Sequence, residues 1–128
     1  MAYNVLIVDD SQTMRKVILK ALKLSGFDLG ECLEAGNGAE ALTVLSAHWI
    51  DLILTDLNMP VMNGLELVHK LKGDQHYEGI PVVLITTEGS ETRLQELFAL
   101  GVKDYIQKPF HPDTLRDVLT RIMEKPYV

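Results

Sequence analysis

Short apolar runs recur along this chain, and each ends abruptly in polar chemistry. Val5-Leu6-Ile7-Val8 runs into Asp9-Asp10, Leu52-Ile53-Leu54 into Thr55-Asp56, Val82-Val83-Leu84-Ile85 into Thr86, and Tyr105-Ile106-Gln107 into Lys108-Pro109. Runs that are continuous rather than alternating suit strands covered on both faces, as in a parallel sheet packed between helices.

The intervening stretches have helical period. Ser11 is placed to cap a helix in which Met14, Val17, Ile18, Ala21 and Leu22 form one apolar stripe, with Gly26 as its stop. A second, weaker strand is expected over 32–35. Asn37, with Glu40 three residues on, then caps a helix carrying Ala41, Leu42, Leu45 and Trp49. Pro60 and Gly64 punctuate a loop before a third helix over 65–71. Ser90 caps a fourth, with Leu94, Leu97 and Phe98 inward and Gly101 as its stop. Pro112 opens a fifth through Leu115, Val118, Leu119 and Ile122 to the neighbourhood of Glu124. Five strands alternating with five helices predict an α/β fold with a doubly wound, five-stranded parallel sheet. The flavodoxin-like (βα)5 version of that sheet has the order 2-1-3-4-5.

At 128 residues and 47% hydrophobic content, one domain over 1–128 is expected, with no output domain attached. The formal charge of −6 and the scatter of the basic residues argue against a nucleic-acid surface. The lone cysteine, Cys32, cannot form an internal disulfide and reads as a small buried hydrophobe in a reducing compartment. Residues 1–10 lack a basic segment ahead of their apolar run, so neither a targeting signal nor membrane insertion is expected and the cytoplasm is the expected location. His48, His69, His76 and His111 show no spacing that would build a zinc site.

In the 2-1-3-4-5 order the first and third strands are neighbours at the point where the strand order reverses, which is where such sheets place their sites. Asp9, Asp10 and Asp56 therefore converge, with Thr86 and Lys108 arriving from the fourth and fifth strands. Crowded carboxylates repel one another, and a hard divalent ion relieves that. An open crevice with few protein oxygens favours Mg2+, which retains waters and shares phosphate oxygens. An aspartate beside such an ion can be a nucleophile toward phosphorus. Asp56, closing the most apolar run, is the candidate, while Lys108 and the Thr86 hydroxyl are placed to bond phosphoryl oxygens.

These residues resemble the receiver domain of two-component response regulators, most of all the single-domain chemotaxis type (CheY-like). The resemblance rests on Asp9-Asp10, on the stretch from Asp56 through Asn58, Met59 and Pro60 to Gly64, on Thr86-Thr87, and on Lys108-Pro109-Phe110 after Tyr105. It implies that Asp56 accepts a phosphoryl group from a phosphohistidine of a histidine kinase. It further implies that Asp10 and Asp56 ligate Mg2+ by side chain, Asn58 by its backbone carbonyl, and Asp9 mainly through water. Lys108 would pair with the phosphoryl oxygens, the Lys108-Pro109 bond would be cis, and Thr86 and Tyr105 would form a switch pair that reshapes the face of the fourth helix, fifth strand and fifth helix. Asn58 and Glu88, each two places after a key residue, are read as tuning dephosphorylation by positioning the attacking water.

On this reading the protein is a monomeric switch whose partners are a histidine kinase, a downstream target such as the flagellar motor switch protein, and a phosphatase. A phosphorelay intermediate and a phosphate sink are the alternatives. A Mg-dependent phosphohydrolase is more remote, because the place where it wants a second acid holds Asn58. A flavin carrier is disfavoured because Asp9 and Asp10 would repel its phosphate.

Overall fold

The computed structural model describes residues 2–87 and 89–123. Strands and helices alternate along it as β1 (Tyr3–Val8), α1 (Gln12–Ser25), β2 (Leu29–Ala35), α2 (Gly38–Ala47), β3 (Leu52–Thr55), α3 (Gly64–Lys72), β4 (Val82–Thr86), α4 (Glu91–Ala99), β5 (Asp104–Gln107) and α5 (Pro112–Met123). All pairings in the sheet are parallel and the order is β2-β1-β3-β4-β5, as expected.

Successive residues of each central strand feed opposite faces. Leu6, Val8, Ile53, Val82 and Leu84 pack with α2, α3 and α4 through Ala41, Leu45, Leu67, Val68, Leu71, Leu94 and Leu97. Val5, Ile7, Leu52, Leu54, Val83 and Ile85 pack with α1 and α5 through Ile18, Ala21, Leu22, Leu115, Val118 and Leu119. Two cores on one sheet explain why these runs are apolar at every position.

The expected caps are present: Ser11 accepts from the Met14 N–H, Asn37 from the Glu40 N–H and Ser90 from the Arg93 N–H, while Gly26 ends α1 in the left-handed region at φ 80°. At α3, Asn63 and Glu66 form a reciprocal capping box.

Three apolar positions depart from expectation. Val17 is 47% exposed, because the α1 stripe is narrower than its sequence period suggests and centres on Ile18, Ala21 and Leu22. Trp49 lies beyond the end of α2 and is 78% exposed, with its indole N–H donating to Asp51 Oδ1 at 2.9 Å. Phe98 is 40% exposed rather than inward, its ring edge against Tyr105. Cys32 is half-buried, packed at the margin of the α1/α5 core. Among the described residues no helix is long and apolar enough to cross a membrane.

Candidate functional site

The register of the sheet builds the site. Val8 pairs laterally with Thr55, so the next residue on each strand, Asp9 and Asp56, stands at the same level of adjacent strands. The Asp56 N–H donates to the Val8 carbonyl at 2.8 Å and the Asp9 N–H to the Ala35 carbonyl at 3.0 Å, which carries the ladder to the lip of the crevice. Among the described residues, Asp9, Asp10 and Asp56 form an acidic group whose ligand oxygens all lie within 4.8 Å of one another. At that separation each pair repels by about 3 kcal/mol for an effective dielectric of about 20, far more than a surface contact.

Lys108 answers part of that repulsion. The Thr86 carbonyl accepts the Lys108 N–H at 2.8 Å, which registers β5's continuation against β4, and the Lys108–Pro109 peptide is cis. From there Nζ reaches Asp9 Oδ2 at 2.7 Å and Asp56 Oδ2 at 3.2 Å. Asp9 is almost fully buried, and its other oxygen accepts the Ser11 N–H at 2.9 Å. Asp56 Oδ1 accepts the Leu57 N–H at 2.7 Å. Asp10 is exposed at the mouth of the crevice. One ammonium against three carboxylates leaves a net negative pocket with oxygens facing one another, which is the donor set a hard divalent cation takes.

The loop after Asp56 is held close. A Cβ on Gly64 would sit 2.4 Å from the Asp56 carbonyl oxygen and 2.9 Å from the Leu57 Cα, so only glycine permits this approach. Gly64 N–H donates to the Leu57 carbonyl at 2.8 Å, and Gly38 N–H, at the start of α2, to the Met62 carbonyl at 2.9 Å. Asn58 lies exposed on this loop.

Thr86 closes β4 fully buried. Leu84 pairs with Tyr105 across β4 and β5, and Thr86 is two residues further along, so Thr86 and Tyr105 share the face of the sheet covered by α4. Tyr105 is half-buried and meets Phe98 of α4 edge-on, ring centres 6.2 Å apart. A groove of about 400 Å³ opens there, lined by Gly89, Glu91, Leu94, Gln95, Phe98 and Tyr105. Glu88 lies outside the described residues.

Residues 5–120 match the response regulator receiver domain. The chain belongs to that family. A chemotaxis protein CheY homolog of Campylobacter jejuni is 41% identical to this receiver domain over 121 residues, which is 94% of this chain and 92% of the relative. Chemotaxis protein CheY1 of Helicobacter pylori is likewise 41% identical over 121 residues, covering 94% of this chain and 96% of its own. The solved structure of the chemotaxis response regulator CheY4 of Vibrio cholerae matches this receiver domain with a TM-score of 0.84 at 36% identity, over 96% of this chain and 100% of that one. Receiver domains are modules of two-component signalling rather than enzymes of metabolism, and they bind Mg2+ at an acidic pocket of the kind this receiver domain builds from Asp9, Asp10 and Asp56.

Two residues of this receiver domain escape the sequence reading: Arg15 and Glu34. Arg15 Nη1 donates to the Asp9 carbonyl at 2.7 Å and Nε to Glu34 Oε1 at 2.9 Å. The available signal was a cation near the start of α1, where the helix dipole disfavours one.

Proposed function

We propose that this chain is a phosphorylation-dependent switch in chemotaxis signalling. Asp56 accepts a phosphoryl group from the phosphohistidine of a histidine kinase: an Asp56 oxygen forms the new P–O bond as the P–N bond breaks, and the departing imidazole keeps the electron pair. The observation that carries the reading is the meeting of the Asp9, Asp10 and Asp56 oxygens within 4.8 Å of one another, with the Lys108 ammonium against Asp9 and Asp56.

Asp10 and Asp56 are the side chains that hold Mg2+, with the Asn58 carbonyl as a third protein ligand. Asp9, nearly fully buried and paired with the Lys108 ammonium at 2.7 Å, acts mainly through water. When bound, Mg2+ offsets charge on the carboxylates and on the phosphoryl oxygens. Lys108 swings its Nζ from Asp56 Oδ2 to a phosphoryl oxygen, and the Thr86 hydroxyl bonds another. Asn58 and Glu88 set the rate at which water removes the group.

The output lies on the α4–β5–α5 face. Thr86 and Tyr105 share the sheet face under α4, so movement of the one toward the phosphoryl group frees space for the ring of the other. The groove beside Tyr105 then changes shape, by as much as the phosphoryl group stabilises the active state over the resting one. The relatives' names as chemotaxis proteins support a downstream target at the flagellar motor switch.

Incubation with acetyl phosphate and Mg2+ tests the reading. Stoichiometric labelling, absent from Asp56→Asn and dependent on Mg2+, is the expected result. Repeated turnover of other phosphoesters would point instead to a phosphohydrolase. Retention of a motor switch protein by the beryllofluoride-treated form and not by the untreated form separates the motor switch from a relay or sink.

A further inference from the structure

Arg15 stands where the helix dipole alone would not put it. It closes the first turn of α1, at the end of a helix that carries partial positive charge, and no acidic residue shares that turn. Its side chain is nevertheless only 17% exposed, held between the Asp9 carbonyl and Glu34 on β2.

The Asp9 carbonyl is the consequential partner. Asp9 is 1% exposed, and every polar atom it has is engaged: N–H to Ala35, Oδ1 to Ser11, Oδ2 to Lys108, and the carbonyl to Arg15. A peptide unit is planar, so holding the Asp9 oxygen fixes the plane that also carries the nitrogen and Cα of Asp10. The orientation of one peptide thereby sets the direction in which both carboxylates enter the crevice.

We infer that Arg15, anchored by Glu34, is a positioning residue that aims the Asp9 and Asp10 carboxylates at a divalent cation. The inference rests on the crevice being a cation site. A guanidinium suits the task because its rigid fork serves two acceptors at once, whereas a lysine ammonium is a point charge on a flexible stem. Partners behind the ligands of a metal site commonly change its affinity by 10-fold or more when removed.

Isothermal titration calorimetry with Mg2+ alone, and amide hydrogen exchange on the metal-free protein, test this on Arg15→Met, Arg15→Lys and Glu34→Gln. Arg15→Met keeps the apolar stem and loses the fork. Its Mg2+ dissociation constant should rise about 10-fold, and the Ser11 amide, which donates to Asp9 Oδ1, should exchange about 10-fold faster while β3 amides keep their protection. Arg15→Lys should recover little of either change, and Glu34→Gln, which retains an acceptor oxygen, most of both. An unchanged Mg2+ constant in Arg15→Met overturns the inference. So does equal loss of protection at Ser11 and β3, which would make Arg15 a general stabiliser. Failure of the unsubstituted protein to bind Mg2+ would sink the cation reading itself, and with it the aim assigned to Arg15. The Ser11 exchange rate would still report whether Arg15 orders the Asp9 peptide. Should Arg15→Met not fold, Arg15→Lys carries the same two readouts.

Discussion

Lys108 and Asp9, separated by 99 positions in the sequence, form a 2.7 Å ion pair in which the side chains are only 10% and 2% exposed. The same ammonium lies 3.2 Å from Asp56. It occupies oxygens at the rim of the space a cation would take, so lysine and Mg2+ compete for one set of charges. Lys108→Met should therefore lose about 3 kcal/mol of stability in EDTA, because a buried carboxylate is left without its partner. Excess Mg2+ should restore most of that loss, and Mg2+ should bind several-fold more tightly than to the unsubstituted protein. Urea unfolding with and without Mg2+ measures both effects. Equal stabilisation of the two proteins by Mg2+ would show that lysine and ion do not share these oxygens.

The convergence of Asp9, Asp56 and Lys108 was legible because it depends only on strand ends. Apolar runs with no polar face must be interior parallel strands, and the order of such strands brings the ends of β1 and β3 together. Arg15 was not legible, since its partners are a backbone carbonyl and a residue on β2 brought near by tertiary packing. Trp49 failed for a different reason. Helical period continued past Ala47, but the His48 N–H closes α2 onto the Val44 carbonyl and the chain turns extended, which carries the indole out of the helix face. Phe98 sits at the edge of the α4 stripe, where period alone does not separate core from rim. Its neighbour there is Tyr105, an aromatic contact that only the β4–β5 register places.

Val61 holds a conformation its side chain disfavours. Its φ is 67°, in the left-handed region, while Met62 N–H donates to the Pro60 carbonyl at 2.7 Å, the i to i+2 bond of a γ-turn. A β-branched residue at positive φ is a strained one. Val61 is 82% exposed, so its side chain gains little from burial in return. Val61→Gly should stabilise the fold by about 1 kcal/mol, the relief of strain exceeding the extra chain entropy glycine brings to the unfolded state. Thermal unfolding should show a midpoint a few degrees higher. The acidic crevice should keep its Mg2+ affinity, because the turn is tied to α2 through Met62 and Gly38 rather than through the Val61 side chain.

Cys32 carries a pH dependence of its own. Burial pushes its thiol up to about 11, the neighbouring Glu34 carboxylate adds to the rise, and Lys23 opposes it. The folded protein therefore keeps the neutral thiol where an unfolded chain already forms thiolate. Since the unfolded state then binds fewer protons than the native one, stability contributed at Cys32 is present at neutral pH and declines as pH climbs from about 9 toward 11. Alkylation follows the same titration, because the thiolate is the nucleophile. With iodoacetamide the folded protein should react about 100-fold more slowly at pH 8 than a thiol titrating at 9.0, and its rate should keep rising about tenfold per pH unit beyond pH 9. A rate that levels off near pH 9, followed by mass spectrometry on folded protein, would mean that the sheet edge beside Glu34 does not desolvate this sulfur. Glu34→Gln should move the profile toward lower pH, since it removes the charge that adds to the effect of burial, and it does so without removing the side chain that Arg15 holds.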